Sequence, residues 1–199
     1  MKVKRFINSV FTSNTYVLTE ECSDDCWVVD MGDIEPVLEY VADRKLRGLF
    51  ITHTHYDHIY GINKLVAHFP DCVVYTSVKG KEGLYSDRLN FSRYHADPIV
   101  FQGEHLQIVN DGDSIRLFED VECKVLATPG HDWSCLTYYT DDSIFTGDSY
   151  IPGIKVITSF PHSDKEQAGY SLCKILQLSE TRNVYPGHND GLLLGDVRE

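Results

Sequence analysis

His53-Thr-His55-Tyr-Asp57-His58 places three imidazoles and a carboxylate within six residues, directly after the apolar run Gly48-Leu-Phe-Ile-Thr52. A short apolar run of this kind reads as a strand buried on both faces, so the cluster stands at the C-terminal end of such a strand. On extended chain, side chains two apart point the same way, which aims His53 and His55 together. Asp57 and His58 fall where the chain turns toward the next helix and face a second direction. Neutral imidazole and carboxylate are the ligands a borderline ion such as zinc takes. One short segment facing two ways can serve two neighbouring ions.

Working outward, His131 in Thr128-Pro-Gly-His131, Asp148 in Phe145-Thr-Gly-Asp148 and His188 in Tyr185-Pro-Gly-His188 each follow a candidate strand, with glycine immediately before. Glycine permits the sharp turn that sends a side chain back across a sheet edge. Each alone reads as an ordinary turn residue; three alike, added to the first cluster, form a set. Strands are expected at 14–19, 26–30, 48–52, 72–76, 105–109, 113–118, 121–127, 135–140, 142–146 and 183–185. Ile34, Val37, Leu38 and Val41 make one helical face, and a second helix over 59–69 stops at Pro70. A third starts at Ser163, which pairs with Glu166 as a capping box. Residues 79–97 read as a partly helical surface loop, whose Tyr85, Phe91 and Tyr94 are candidates for a wall over the site. Strands and helices in both halves predict an α/β fold, two sheets face to face with helices outside. No linker or repeat divides the chain, so one domain over 1–199 is expected.

Composition narrows the function classes. The 199 residues carry 30 acidic against 18 basic side chains, a formal charge of −12, which disfavours nucleic acid and anionic lipid. No stretch approaches the roughly 20 apolar residues of a membrane helix. The basic N-terminus lacks the apolar core of an export signal, so a cytoplasmic protein acting on a small molecule is expected; whether it forms a homo-oligomer is left open. Cys22, Cys26, Cys72, Cys123, Cys135 and Cys173 show no metal-knuckle spacing and read as free thiols.

Thr52 to His58 reproduces the Thr-His-x-His-x-Asp-His motif, and the chain resembles the metallo-β-lactamase-fold superfamily. Asn14-Thr-Tyr-Val-Leu18, Val29-Asp30-Met-Gly32 and the downstream His131, Asp148 and His188 extend the resemblance over almost the whole chain. It implies a four-layer αββα sandwich with two divalent ions, zinc first, with iron or manganese accepting the same ligands. His53, His55 and His131 would hold one ion, Asp57, His58 and His188 the other, and Asp148 would bridge them. Asp57 is also a candidate proton shuttle, and Asp30 either orients a ligand imidazole or is a buried structural carboxylate. The implied reaction is cleavage of an ester-type bond by a hydroxide between the ions. Within the superfamily the chain is most similar to glyoxalase II, a thioesterase. It departs in Ser149-Tyr-Ile-Pro-Gly-Ile-Lys155, which lacks a Cys-Gly-Arg element. It also ends eleven residues after His188, so the glutathione-binding C-terminal domain is expected to be absent. Thioester cleavage is therefore expected ahead of hydroxyacylglutathione hydrolysis. The alternatives are a lactonase, for which Tyr150 is the catalytic candidate, a single-iron sulfur dioxygenase and, last, a non-catalytic metal-binding module. Ser134 and Cys135 read as strand residues, while Trp133 and His162 are candidates for a pocket wall.

Overall fold

Alternation along the buried strands builds the architecture. The structure, a computed structural model, describes residues 1–191; the expected domain extends into 192–199, outside the described residues. The first half contributes β1 (Lys2–Ile7), β2 (Asn14–Thr19), β3 (Asp25–Val29), α1 (Ile34–Val41), β4 (Lys45–Phe50), α2 (Ile62–His68), β5 (Val73–Thr76), α3 (Val78–Leu84) and β6 (Leu106–Ile108). The second contributes β7 (Ser114–Phe118), β8 (Val121–Ala127), β9 (Leu136–Tyr139), β10 (Ser143–Gly147), α4 (Lys165–Ser179) and β11 (Asn183–Pro186). One sheet has the order β1-β2-β3-β4-β5-β6 and the other β11-β10-β9-β8-β7.

Along β3, Cys26 and Val28 join a core with Val37 and Val41 of α1 and Leu65 of α2. Their neighbours Trp27 and Val29 face the opposite way, into a core shared with Val125, Tyr138 and Phe145 of the second sheet. On β10, Phe145 faces that middle core while Ile144 meets Ile175 of α4. A strand buried on both faces must be apolar at every position, and the resulting three cores separate four layers, helix, sheet, sheet and helix. The middle layer is tied across by polar tips: Trp27 Nε1 donates to the Leu117 carbonyl at 3.0 Å, and the Tyr138 hydroxyl donates to the Ile51 carbonyl at 3.1 Å.

One strand lies outside the expected set, and two local expectations are corrected. Lys2–Ile7 is a strand, pairing with β2 at the sheet edge; its lysines mask the pattern, as is common on edges that must not recruit partners. Asp164 rather than Ser163 caps α4, accepting from the Glu166 and Gln167 amides at 2.9 and 3.0 Å, while the Ser163 hydroxyl donates to the His131 carbonyl. Within 79–97, α3 is capped by Ser77, and Asn90 and Ser92 are buried, so the segment is less of a surface loop than expected. All six cysteines are free thiols, as anticipated. Among the described residues no helix is long and apolar enough to cross a membrane.

Candidate metal centre

The chain leaves β4 at Phe50 and runs extended through His55 before a single tight turn at Tyr56–His58. His53 and His55 consequently lie side by side, ring centroids 4.7 Å apart. The turn is pinned from outside by Met31 N donating to the His58 carbonyl at 2.8 Å and Ser13 Oγ donating to the Asp57 carbonyl at 2.7 Å. The other three residues arrive from the ends of β8, β10 and β11, in the second sheet. Gly147 before Asp148 has φ +50°, a conformation that suits glycine and makes the turn.

All seven side chains converge. His131 Nε2 lies 3.0 Å from His55 Nδ1, and these two with His53 form one compact trio of donor atoms. Asp57, His58 and His188 form a second. Asp148 lies between them: Oδ2 is 3.6 Å from His131 Nε2 and 3.4 Å from His188 Nε2, and Oδ1 is 3.5 Å from His58 Nε2. His53 Nε2 and Asp148 Oδ1 are buried with no hydrogen-bond partner in the protein. Orphaned donor atoms facing one point cost folding free energy unless something satisfies them, and a divalent ion suits this oxygen and nitrogen set. The residues present therefore fit a pair of metal ions.

A surrounding layer fixes the imidazoles. Asp30 Oδ2 lies 2.8 Å from His58 Nδ1, which carries a proton there because a carboxylate only accepts, so Nε2 is the nitrogen turned toward the centre. The same Asp30 accepts from Thr52 N and Oγ1 at 2.8 and 2.7 Å. Backbone carbonyls do this work elsewhere: Ile157 O holds His131 Nδ1 at 2.9 Å and Phe11 O holds His188 Nδ1 at 3.0 Å. Asp132, buried beside His55 with Oδ2 3.7 Å from its Nε2, is held by the Ser134 amide at 2.8 Å. The sequence reading missed Asp132; an acidic residue directly after His131 was the available signal. Supporting partners of this kind typically contribute about 10–100-fold in metal affinity. Asp30→Asn, an isostere that tolerates the φ of +53° there, is expected to weaken zinc binding by about that factor in a chelator-competition titration. Unchanged affinity would reduce Asp30 to a tie for Thr52.

Electrostatics point the same way. Burial opposes a charge on His58, yet Asp57, Asp148 and Asp30 raise its pKa to about 9. His188 is likewise opposed by burial but lifted to about 10 by Asp148 and Asp57. Against burial, His58 and His188 hold the Asp148 carboxyl well below its usual range. Both histidines are thus raised above the ordinary 6.5. In the metal-free chain their protonated forms stabilise the fold fully below about pH 6.5, and that contribution disappears as pH rises through 9 to 10. A ligand nitrogen must shed its proton to bind metal, so zinc binding at pH 7 is expected to release about two protons and to strengthen as pH rises. Calorimetry in buffers of different ionisation enthalpy measures this; zero release would contradict the charged pair.

A cavity of about 440 Å³ opens onto the centre, with His55, Asp57, His131, Asp148 and His188 on its floor. Phe91 and Tyr94 do line it, joined by Phe11, Tyr56, Ile157 and Phe160. Tyr85 packs instead on Phe101. Tyr150 does not reach the cavity: Thr146 Oγ1 donates to its carbonyl at 2.6 Å, closing the turn, and its ring packs against the Ile144, Ile175 and Val184 cluster. Trp133 and His162 stack on each other at 3.9 Å outside the cavity.

A four-layer α/β/β/α sandwich with histidine and aspartate donors gathered at the strand ends of both sheets is the build of a metal-binding α/β protein. The chain belongs to the metallo-beta-lactamase superfamily, whose family model matches residues 10–188. It is similar to a hydroxyacylglutathione hydrolase of Pseudoalteromonas translucida, 32% identical over 180 residues, covering 88% of this chain and 61% of that protein. A hydroxyacylglutathione hydrolase of Vibrio cholerae is 33% identical over 181 residues, 89% of this chain and 62% of the relative. The chain thus spans about three-fifths of the length of these curated relatives. Among solved structures, the BLEG-1 B3 metallo-beta-lactamase superposes with a TM-score of 0.84 at 25% identity, over 96% of this chain and 93% of that one. ETHE1 from Myxococcus xanthus does so with 0.76 at 27% identity, over 96% and 76%.

Proposed function

We propose that this chain is a metal-dependent hydrolase that cleaves an ester-type bond of a small molecule, a thioester foremost. His53, His55 and His131 would hold one divalent ion and Asp57, His58 and His188 a second, with Asp148 available to both. The observation that carries the reading is the convergence of seven donors, some buried without a protein partner, beneath an open cavity. The hydroxyacylglutathione hydrolases among the relatives support thioesters as the bond class. Bound ions would acidify a water molecule and polarise a carbonyl oxygen.

In the overall reaction water adds its oxygen to the acyl carbon, the carbon–sulfur bond breaks, and an acid and a thiol leave. The chain's own residues prepare this. Asp30 and the Ile157 and Phe11 carbonyls fix the orientations of His58, His131 and His188, and the aromatic wall limits water around the reacting bond. Asp57 Oδ2, 3.2 Å from His188 Nε2, lines the cavity floor as a carboxylate and is placed to take up a proton and return it to the leaving group. A thiol, with an ordinary pKa near 8.5, needs little such help, which favours thioesters over alkyl esters.

The test is metal analysis of the protein purified without added metal, followed by a thioester and lactone screen. About two equivalents of zinc, iron or manganese with thioester turnover supports the proposal. One equivalent of iron overturns the two-ion arrangement in favour of oxidation chemistry, and bound metal with no turnover leaves a binding module.

A further inference from the structure

The cavity wall carries chemical information beyond the bond cleaved. Phe91 and Phe160 both pack on the His55 ring, with centroid distances of 5.1 and 5.3 Å, and on each other at 5.9 Å. Phe160 also meets His131 edge-on at 5.8 Å. Tyr56 is backed by His95, stacked at 3.9 Å, and Phe11 and Ile157 complete the wall. No lysine or arginine lines this cavity among the described residues. Lys155 lines instead a recess of about 30 Å³ behind His131 and Asp148 and, with Lys165, a cavity of about 240 Å³ on the side of α4. Asp57 and Asp148 are the carboxylates on the floor, and the whole chain carries −12. The carboxylates of a glutathione conjugate lie away from the thioester, and along the wall they would meet apolar rings with no lysine or arginine to pair with.

The wall is also held in place. Asn90, fully buried, donates through Nδ2 to the Gly83 and Ile99 carbonyls at 3.1 and 3.0 Å and accepts the Ser92 amide at 2.9 Å. Ile99 N closes the knot on Ser92 Oγ at 2.7 Å. Between Asn90 and Ser92, Phe91 sits at φ +61°, and Phe11 across the cavity sits at φ +51°. Bulky residues seldom adopt this conformation, and it persists where surroundings over-determine it. The knot thereby holds the backbone on both sides of Phe91, whose ring lines the cavity.

We infer that the site selects an uncharged substrate with an aromatic or branched apolar acyl group, seated against the face that Phe91 and Phe160 present to the cavity, and discriminates against anionic glutathione conjugates. This rests on the hydrolase reading above. Water is consumed and an acid and a neutral thiol are released.

The metal-loaded protein should be assayed with three thioesters: the phenylacetyl and acetyl esters of N-acetylcysteamine, and lactoylglutathione. The phenylacetyl ester is expected to exceed both others in kcat/KM by at least about tenfold, the scale of discrimination an apolar pocket supplies. Phe160→Ala is expected to lower the phenylacetyl-to-acetyl ratio by about tenfold, and Phe160→Leu to keep most of it. Equal values, or a preference for lactoylglutathione, overturn the inference while leaving a hydrolase. If metal is bound and none of the three turns over, the hydrolase reading falls. Calorimetry with the ketone analogues, in which CH2 replaces the ester sulfur, then decides the pocket alone: tighter binding of the phenylacetyl than the acetyl analogue supports it, and equal binding overturns it.

Discussion

Asp148→Asn is expected to lose at least about a thousandfold of hydrolytic activity and to hold fewer than two metal ions per chain. The carboxylate stands within 3.4 to 3.6 Å of His131, His58 and His188, so it is the one anion shared by both donor trios. Asparagine keeps the shape but presents an amide NH2, a donor, where a bare lone pair is needed. The loss of charge is felt in the metal-free protein as well. Asp148 is among the groups that raise His58 and His188, so both histidines should titrate lower in the variant. Circular dichroism should stay near the parent's, since the substitution is isosteric. Two retained ions together with more than a tenth of the activity would remove Asp148 from the centre.

Gly187→Ala, a change of one methyl group, is expected to weaken the second metal equivalent by about 10–100-fold and to lower turnover accordingly. A Cβ on Gly187 would fall 2.1 Å from Asp148 Oδ1 and 2.8 Å from His58 Cε1. The backbone cannot easily retreat. Gly187 N donates to the Gly147 carbonyl at 2.8 Å on one side, and Asn14 N donates to the Gly187 carbonyl at 2.7 Å on the other. Asp148 must move instead, out of the position both trios need. A stepwise zinc titration distinguishes the two equivalents, and an unaltered second step would show that β11 yields.

What was legible in the sequence was chemistry confined to short stretches. Thr52 to His58 carries its own geometry, because extended chain and a tight turn dictate where four side chains point. The 34–41 helix was readable because its apolar face repeats at helical spacing. The rest depended on distant partners. Lys2–Ile7 becomes a strand through pairing with β2, and its exposed lysines hide the alternation. Asp132 matters only because the chain folds back at Ser134 to hold it beside His55. Tyr150 lies close to Asp148 in sequence, yet its side chain packs on the Ile144, Ile175 and Val184 cluster and not in the cavity. Phe160 and Ile157 come from a stretch with no periodicity to announce them.

The division of the donors between the sheets carries a mechanical meaning. Residues 53–58 belong to the half that builds the first sheet, and 131, 148 and 188 to the half that builds the second. Each trio draws from both. An ion seated in either would act as a clasp across the sandwich, so part of its binding free energy becomes cohesion between two halves also joined by the middle core, by hydrogen bonds such as Asn14 N to the Gly187 carbonyl and by a single crossing of the chain. Stripping the metal would then loosen the whole sandwich along that seam, rather than slacken one loop.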